Sequence, residues 1–347
     1  MLDVERLAAA EAVPGRGELD PAMSPSGEPS RVLAAVDLDT ADGLPDRVVT
    51  AAAQRLHAAG AIVIGLARHR PPDVLADAVD LVLADRELPA DRRYVPVDDP
   101  EGALEQVTAA ALAQPRAALT LAWLLRGHDR RSIADGLRAE SAAYSMLLAG
   151  PDFAGWLRRR GPARESDPGE RVRVERDDDG LRVTLTRAGR RNAMDAGMRR
   201  ALVDAFELAA ALPELAVEWR AEGPSFSAGG DLDEFGSAPD VATAHLVRVL
   251  NSPAAALEPI RHRVTAYVHG GCVGAGVEIP SFAGHVVAAP DAMFSLPELA
   301  MGLIPGAGGT AGIARRIGRQ RTAWLALTGD RLDAPTALGW GLVDALG

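Results

Sequence analysis

Lysine is absent from all 347 residues, so every one of the 37 basic side chains is arginine. Any charged contact to a ligand phosphate must therefore come from Arg or His, with neutral donors as the remaining source. Cysteine is nearly absent too. The single Cys272 excludes an intrachain disulfide and fits a reducing compartment. Basic charge is in deficit. A net charge of −11 argues against general nucleic-acid binding, whose footprint is a basic domain. No run of eighteen apolar residues occurs, so no membrane-spanning helix is expected. Residues 1–30 lack a basic segment followed by an apolar one, so they do not read as a signal peptide. A cytoplasmic protein is the expectation.

What is present is ample material for a core. Apolar residues make up 48% of the chain and charged residues 24%, and the length suggests about two domains. Residues 1–30 carry turn formers without hydrophobic period and read as a flexible tail. Residues 31–37, 61–67 and 81–84 read as buried strands, and 44–59 as a helix with Val48, Val49, Ala52 and Leu56 on its apolar side. That alternation implies a parallel βαβ unit over 31–99. Residues 100–160 have helical periodicity, with Ser132 and Asp135 placed to cap one helix. Residues 161–171 are charged, contain Gly and Pro, and read as a linker. From 172 the alternation resumes: a hairpin turning at 178–180, a helix at 196–212, strands at 215–219, 263–268 and 285–288, a helical stretch at 242–259, a helix from about 276, and helices at 308–317 and 321–328.

Two Gly-rich loops follow strands in this second half, FSAGGD at 226–231 and HGGCVGAG at 269–276. A strand-to-helix turn of this kind leaves backbone N–H groups free. Two such loops together could aim two N–H groups at one oxygen, forming an oxyanion hole. Neither loop is a dinucleotide-binding fingerprint. Glu278 and Glu298 lie in apolar runs beside these loops. Desolvation there would raise their proton affinity, and the two could hold one water between them, one as base and the other as acid. Asp231 and Asp233 read as helix N-terminal charge, and no metal site is expected. The histidines, including His245, His262, His269 and His285, read as structural.

With these motifs in order, the chain resembles the enoyl-CoA hydratase/isomerase (crotonase) superfamily over 172–347. FSAGGDLDEF and HGGCVGAGVEI are similar to its two oxyanion-hole motifs, FSLPELAMGLIPGAGGT to its third signature, and RRNAMD (190–195) to its CoA-side motif. The resemblance implies an α/β fold, a crotonase-like ββα-superhelix core. It implies that Ala228 and Ala275 supply the oxyanion-hole N–H groups and that Glu278 and Glu298 are catalytic. It puts Arg191, Ala193, Gly229, Gly230, Asp231 and Gly274 at the substrate and CoA side. The implied reaction is hydration or dehydration of an acyl-CoA, with no cofactor beyond the coenzyme A of the substrate. Isomerisation or other enolate chemistry is the alternative, and a non-catalytic acyl-CoA-binding or partner subunit is the second. A homo-oligomer, trimer or dimer of trimers, is also implied. Residues 103–157 are similar to the helical tail that ordinarily closes the family's fold, so the expected arrangement is a degenerate crotonase-like βαβ unit at 31–99, a helical module at 100–160 that is the displaced tail, and then the core. It would cover the pocket of its own chain or of a neighbour.

Overall fold

The structure, a computed structural model, describes residues 6–9, 11, 19–165, 167–177 and 180–347. The chain divides into two compact units, Met1–Gly127 with Gly318–Thr328, and His128–Ile317 with Gly329–Gly347.

The first unit is built on five parallel strands in the order Arg6–Ala8, Leu33–Asp37, Ile62–Ala67, Leu81–Asp85, Tyr94–Val97. The three central strands are near-continuous apolar runs because both faces are covered, as parallel sheets require. Helix Asp46–His57 buries Val49, Ala52, Ala53 and Leu56, one helical stripe. Three readings need correction here. The span taken as a flexible tail contributes an edge strand at Arg6–Ala8, held by main-chain pairing that composition does not reveal; residues 1–5, 10 and 12–18 lie outside the described residues. Tyr94–Val97 is a fifth strand, hidden by Pro96. The helical span 100–160 is divided: Pro100–Ala113 and Pro115–Arg126 belong to this unit, while Ile133–Leu148 and Pro151–Arg160 belong to the other.

The second unit carries a six-stranded sheet in the order Ala345–Leu346, His285–Ala288, Val264–Val268, Ala216–Ala221, Gly180–Leu185, Val172–Arg176. Only the last pair is antiparallel. The tip of that hairpin, 178–179, lies outside the described residues. A smaller sheet joins Gly271–Val273, Met293–Ser295 and Leu332–Asp333. The span read as a linker is tied down by ion pairs: Arg164 with Asp233 at 2.8 Å, Arg171 with Asp195 at 2.8 Å, and Asp167 with Arg187 at 2.9 Å. Four of its charged side chains, Arg164, Asp167, Glu170 and Arg171, are thus paired. The helical stretch at 242–259 breaks at Asn251–Ser252 into Val241–Leu250 and Pro253–Leu257. The helix expected from 276 is one turn, Ala275–Glu278, followed by a 3-10 turn from Pro280. No helix among the described residues is long and apolar enough to cross a membrane.

Candidate active site

The first Gly-rich loop is set from behind by an aromatic stack. Trp219, fully buried on its strand, meets Phe206 of helix Ala196–Ala211 at 5.5 Å and Phe226 of the loop at 5.2 Å, both edge to face. From that anchor the loop bonds to the second. Phe226 N–H donates to the His269 carbonyl at 2.9 Å, Ser227 N–H to Gly271 at 3.1 Å, and Val273 N–H to Ser227 at 3.0 Å. A Cβ on Gly276 would collide with the Ser227 carbonyl, so glycine is what lets the loops touch.

The backbone donors differ from expectation at one position. The Ala228 N–H donates to the Arg191 carbonyl at 2.8 Å, and the Gly229 N–H to Ser227 Oγ at 3.1 Å. Ala228 is therefore not an open donor. Arg191 and Asn192 both take left-handed backbone, which turns the Arg191 carbonyl onto that amide. Among the described residues, the Gly230 N–H and the Ala275 N–H donate to no protein acceptor, so Gly230 replaces Ala228 as the first loop's open amide. Ala275 opens its helix, where an N–H has no intrahelical partner.

Glu278 and Glu298 are both buried, 2% and 7% exposed. They meet at Gly274. A Cβ there would collide with Glu298 Oε1 and sit 3.9 Å from Glu278 Oε1. Glu278 Oε2 accepts the N–H groups of Ala307 at 2.7 Å and Gly309 at 2.9 Å. Glu298 Oε2 is buried and has no hydrogen-bond partner among the described residues. Burial lifts both carboxyls; Glu298 is pushed up to about 7, and Glu278 rises well above the usual range because Glu298 and Glu140 add like charge.

Glu140 is the residue the sequence reading missed. It reaches this site from helix Ile133–Leu148 and is 2% exposed. Its Oε1 accepts the Gly308 N–H at 2.6 Å, and its Oε2 accepts the Thr310 N–H at 2.8 Å and Thr310 Oγ1 at 2.6 Å. Burial lifts it to about 7 against those three bonds, which favour its charged form. Tyr144, one turn on, packs its ring against Gly306 and lies under the Arg248 guanidinium at 4.7 Å. The available signal was spacing: Glu140, Ser141, Tyr144, Ser145 and Leu147 form one buried stripe. Of the span expected as a displaced tail, helix Ile133–Leu148 thus packs on this site within its own chain, whereas helices Pro100–Ala113 and Pro115–Arg126 belong to the other unit.

The other sequence-derived positions separate into two groups. Arg191 is exposed, and Ala193 is half-buried, with its carbonyl taken by Arg187 at 2.8 Å. Gly229 and Gly274 have positive φ, and a Cβ on Gly229 would stand 2.7 Å from the Val273 carbonyl. Asp231 is committed elsewhere: its carboxylate pairs with buried Arg187 at 2.6 Å and accepts the Asp233 N–H at 3.1 Å. Among the described residues no group of three or more His, Cys, Asp or Glu is placed to hold a metal ion.

Fold and site together define an α/β protein with paired buried carboxyls beside two bonded loops bearing open amides. Residues 178–346 match the family model described as enoyl-CoA hydratase/isomerase, and the chain belongs to that family. It is 33% identical over 175 residues to "2,3-dehydroadipyl-CoA hydratase" of Escherichia coli, covering 49% of this chain and 66% of that one. It is 30% identical over 163 residues to "Putative enoyl-CoA hydratase/isomerase YhaR" of Bacillus subtilis, covering 47% and 64%. The matches span just under two thirds of these relatives' length. A solved enoyl-CoA hydratase from Thermoplasma volcanium is 30% identical, with 51% of this chain and 71% of that chain covered and a TM-score of 0.46.

Proposed function

We propose that the protein adds or removes water across the C2–C3 bond of an acyl-CoA thioester. The observation that carries this reading is the Glu278–Glu298 pair, two buried carboxyls converging on Gly274 next to the open amide of Ala275. The thioester oxygen would accept from the Ala275 and Gly230 N–H groups. In hydration, the water oxygen bonds to C3 and its proton passes to one glutamate. The other glutamate gives its proton to C2, and the negative charge of the intervening enolate rests on the thioester oxygen. Dehydration reverses each step. Raised proton affinity lets the pair hold one proton near neutral pH. Arg191, exposed beside the first loop, is the side chain offered to CoA phosphate, and the reaction calls for no further cofactor. The hydratase names of the relatives support the same chemistry.

One observation favours a second reading, isomerisation on a single base. Glu278 Oε2 is held by two amides, whereas Glu298 Oε2 is free to move a proton between C2 and C4. Incubating the protein with a panel of enoyl- and 3-hydroxyacyl-CoA thioesters and weighing the products tests both. A mass change of one water is expected, and Glu278→Gln and Glu298→Gln should each lower it by about 10²–10⁴-fold. Isomerised product of unchanged mass, surviving in Glu278→Gln and lost in Glu298→Gln, would establish the single-base reading instead.

A further inference from the structure

The turn 307–310, which opens helix Gly309–Ile317, offers four successive backbone N–H groups, and they alternate. Ala307 and Gly309 donate to Glu278, while Gly308 and Thr310 donate to Glu140. One strip of backbone thus stands between two carboxylates, each bonded to it twice. The geometry leaves no slack for a side chain: a Cβ on Gly309 would lie 2.8 Å from Glu278 Cγ, and one on Gly308 2.7 Å from the Phe282 ring. Glu140 has no salt bridge among the described residues. Its bonds are to the two amides and the Thr310 hydroxyl alone. Burying a glutamate beside another acid costs free energy, which here only these three hydrogen bonds offset.

We infer that Glu140 is a positioning residue for Glu278. By clamping the far side of the 307–310 loop it aims the Ala307 and Gly309 amides at Glu278, and when ionised it strengthens the hold of the Glu278–Glu298 pair on its proton. Helix Ile133–Leu148 is therefore part of the acid–base device and not merely a cover. The inference about rate rests on the hydratase reading; the inference about the proton does not. Other groups facing the trio are Tyr144 on the same helix and Arg248 from helix Val241–Leu250, whose charge opposes the rise at Glu140, with Arg199 beyond it. None of them bonds the loop.

The test is Glu140→Gln in the full-length chain, with Thr310→Val and Thr310→Ser as milder companions. Two readouts are needed: infrared titration of the buried carboxyls, which requires no substrate, and kcat and KM against pH. In Glu140→Gln the upper carboxyl titration and the alkaline limb of kcat/KM should both move down by about one pH unit, because a like charge is gone. The kcat should fall roughly 10–100-fold with KM changed less than about twofold, as for a lost positioning contact. Thr310→Val should move the same readouts less far, and Thr310→Ser, which keeps the hydroxyl, should match the unaltered protein. A folded Glu140→Gln with unmoved carboxyl titration overturns the inference. Should that variant not fold, an unmoved titration in Thr310→Val overturns it. Wild-type protein without turnover, but with the titration shift present, would leave the inference standing and remove the hydratase reading.

Discussion

At the scale of single residues, the site is a problem of buried negative charge. Glu140, Glu278 and Glu298 are all buried, and burial is the first cause of the rise in each. A carboxyl that holds its proton more tightly folded than unfolded makes the native state bind more protons. Stability is then full below the unfolded value and falls as pH rises toward the folded one. Between about pH 4 and pH 7 stability should therefore fall as pH rises, by on the order of 1 kcal/mol per pH unit. Urea unfolding across that range measures it, and any one of the three Glu→Gln changes should flatten the slope. Gly274 makes the second residue-scale prediction. Its φ of 50° is left-handed, and a methyl there would strike Glu298 Oε1. Gly274→Ala should displace that carboxylate and lower kcat roughly a hundredfold while leaving the fold assembled, as circular dichroism would record.

At the scale of elements, caps and close approaches decide what the site is made of. Ser132 accepts the Asp135 N–H at 3.1 Å and so starts the helix that delivers Glu140. Ser132→Ala should cost about 1 kcal/mol in thermal or chemical unfolding. That cap was readable from sequence, as were the three central strands of the first unit and helix Ala196–Ala211, because each has a clean period or terminus signal. The glutamate pair was readable as well, since both lie in apolar runs beside glycine loops. Glu140 was not. The stripe its helix turns inward is Glu140, Ser141, Tyr144, Ser145 and Leu147, mostly polar residues, so the spacing is there but no apolar face marks it. The choice between Ala228 and Gly230 was equally hidden. It turns on where one carbonyl, that of Arg191, points, and that follows from two successive left-handed residues: Asn192 is a type that favours this region, but Arg191 is not.

At the scale of the whole molecule, the order of residues along the chain and the order of contacts part company. The family match begins at 178, yet the compact unit that holds the site begins at His128. The chain also leaves that unit at Gly318 and rejoins it at Gly329. The excursion is helix Arg319–Thr328, which belongs to the first unit. There Arg321 Nε donates to the Tyr94 carbonyl and Arg321 Nη2 to that of Asp91, both at 2.9 Å. Nine of its ten residues are buried, Trp324, Leu325 and Leu327 among them. A fragment trimmed to the family match, or to residues 128–347, would keep the site's glutamates or lose only Glu140, yet in both cases it would strand this helix without its strands. Burying a Leu or Trp side chain contributes about 1.5–3 kcal/mol, and several would be uncovered at once, against a total stability of about 5–15 kcal/mol. Both fragments should therefore be insoluble or should melt well below the full chain, with dye-binding to exposed apolar surface as a second sign. A soluble 128–347 fragment melting at the full-length temperature would mean that the catalytic unit does not depend on the first unit for its fold, and that the excursion helix is dispensable.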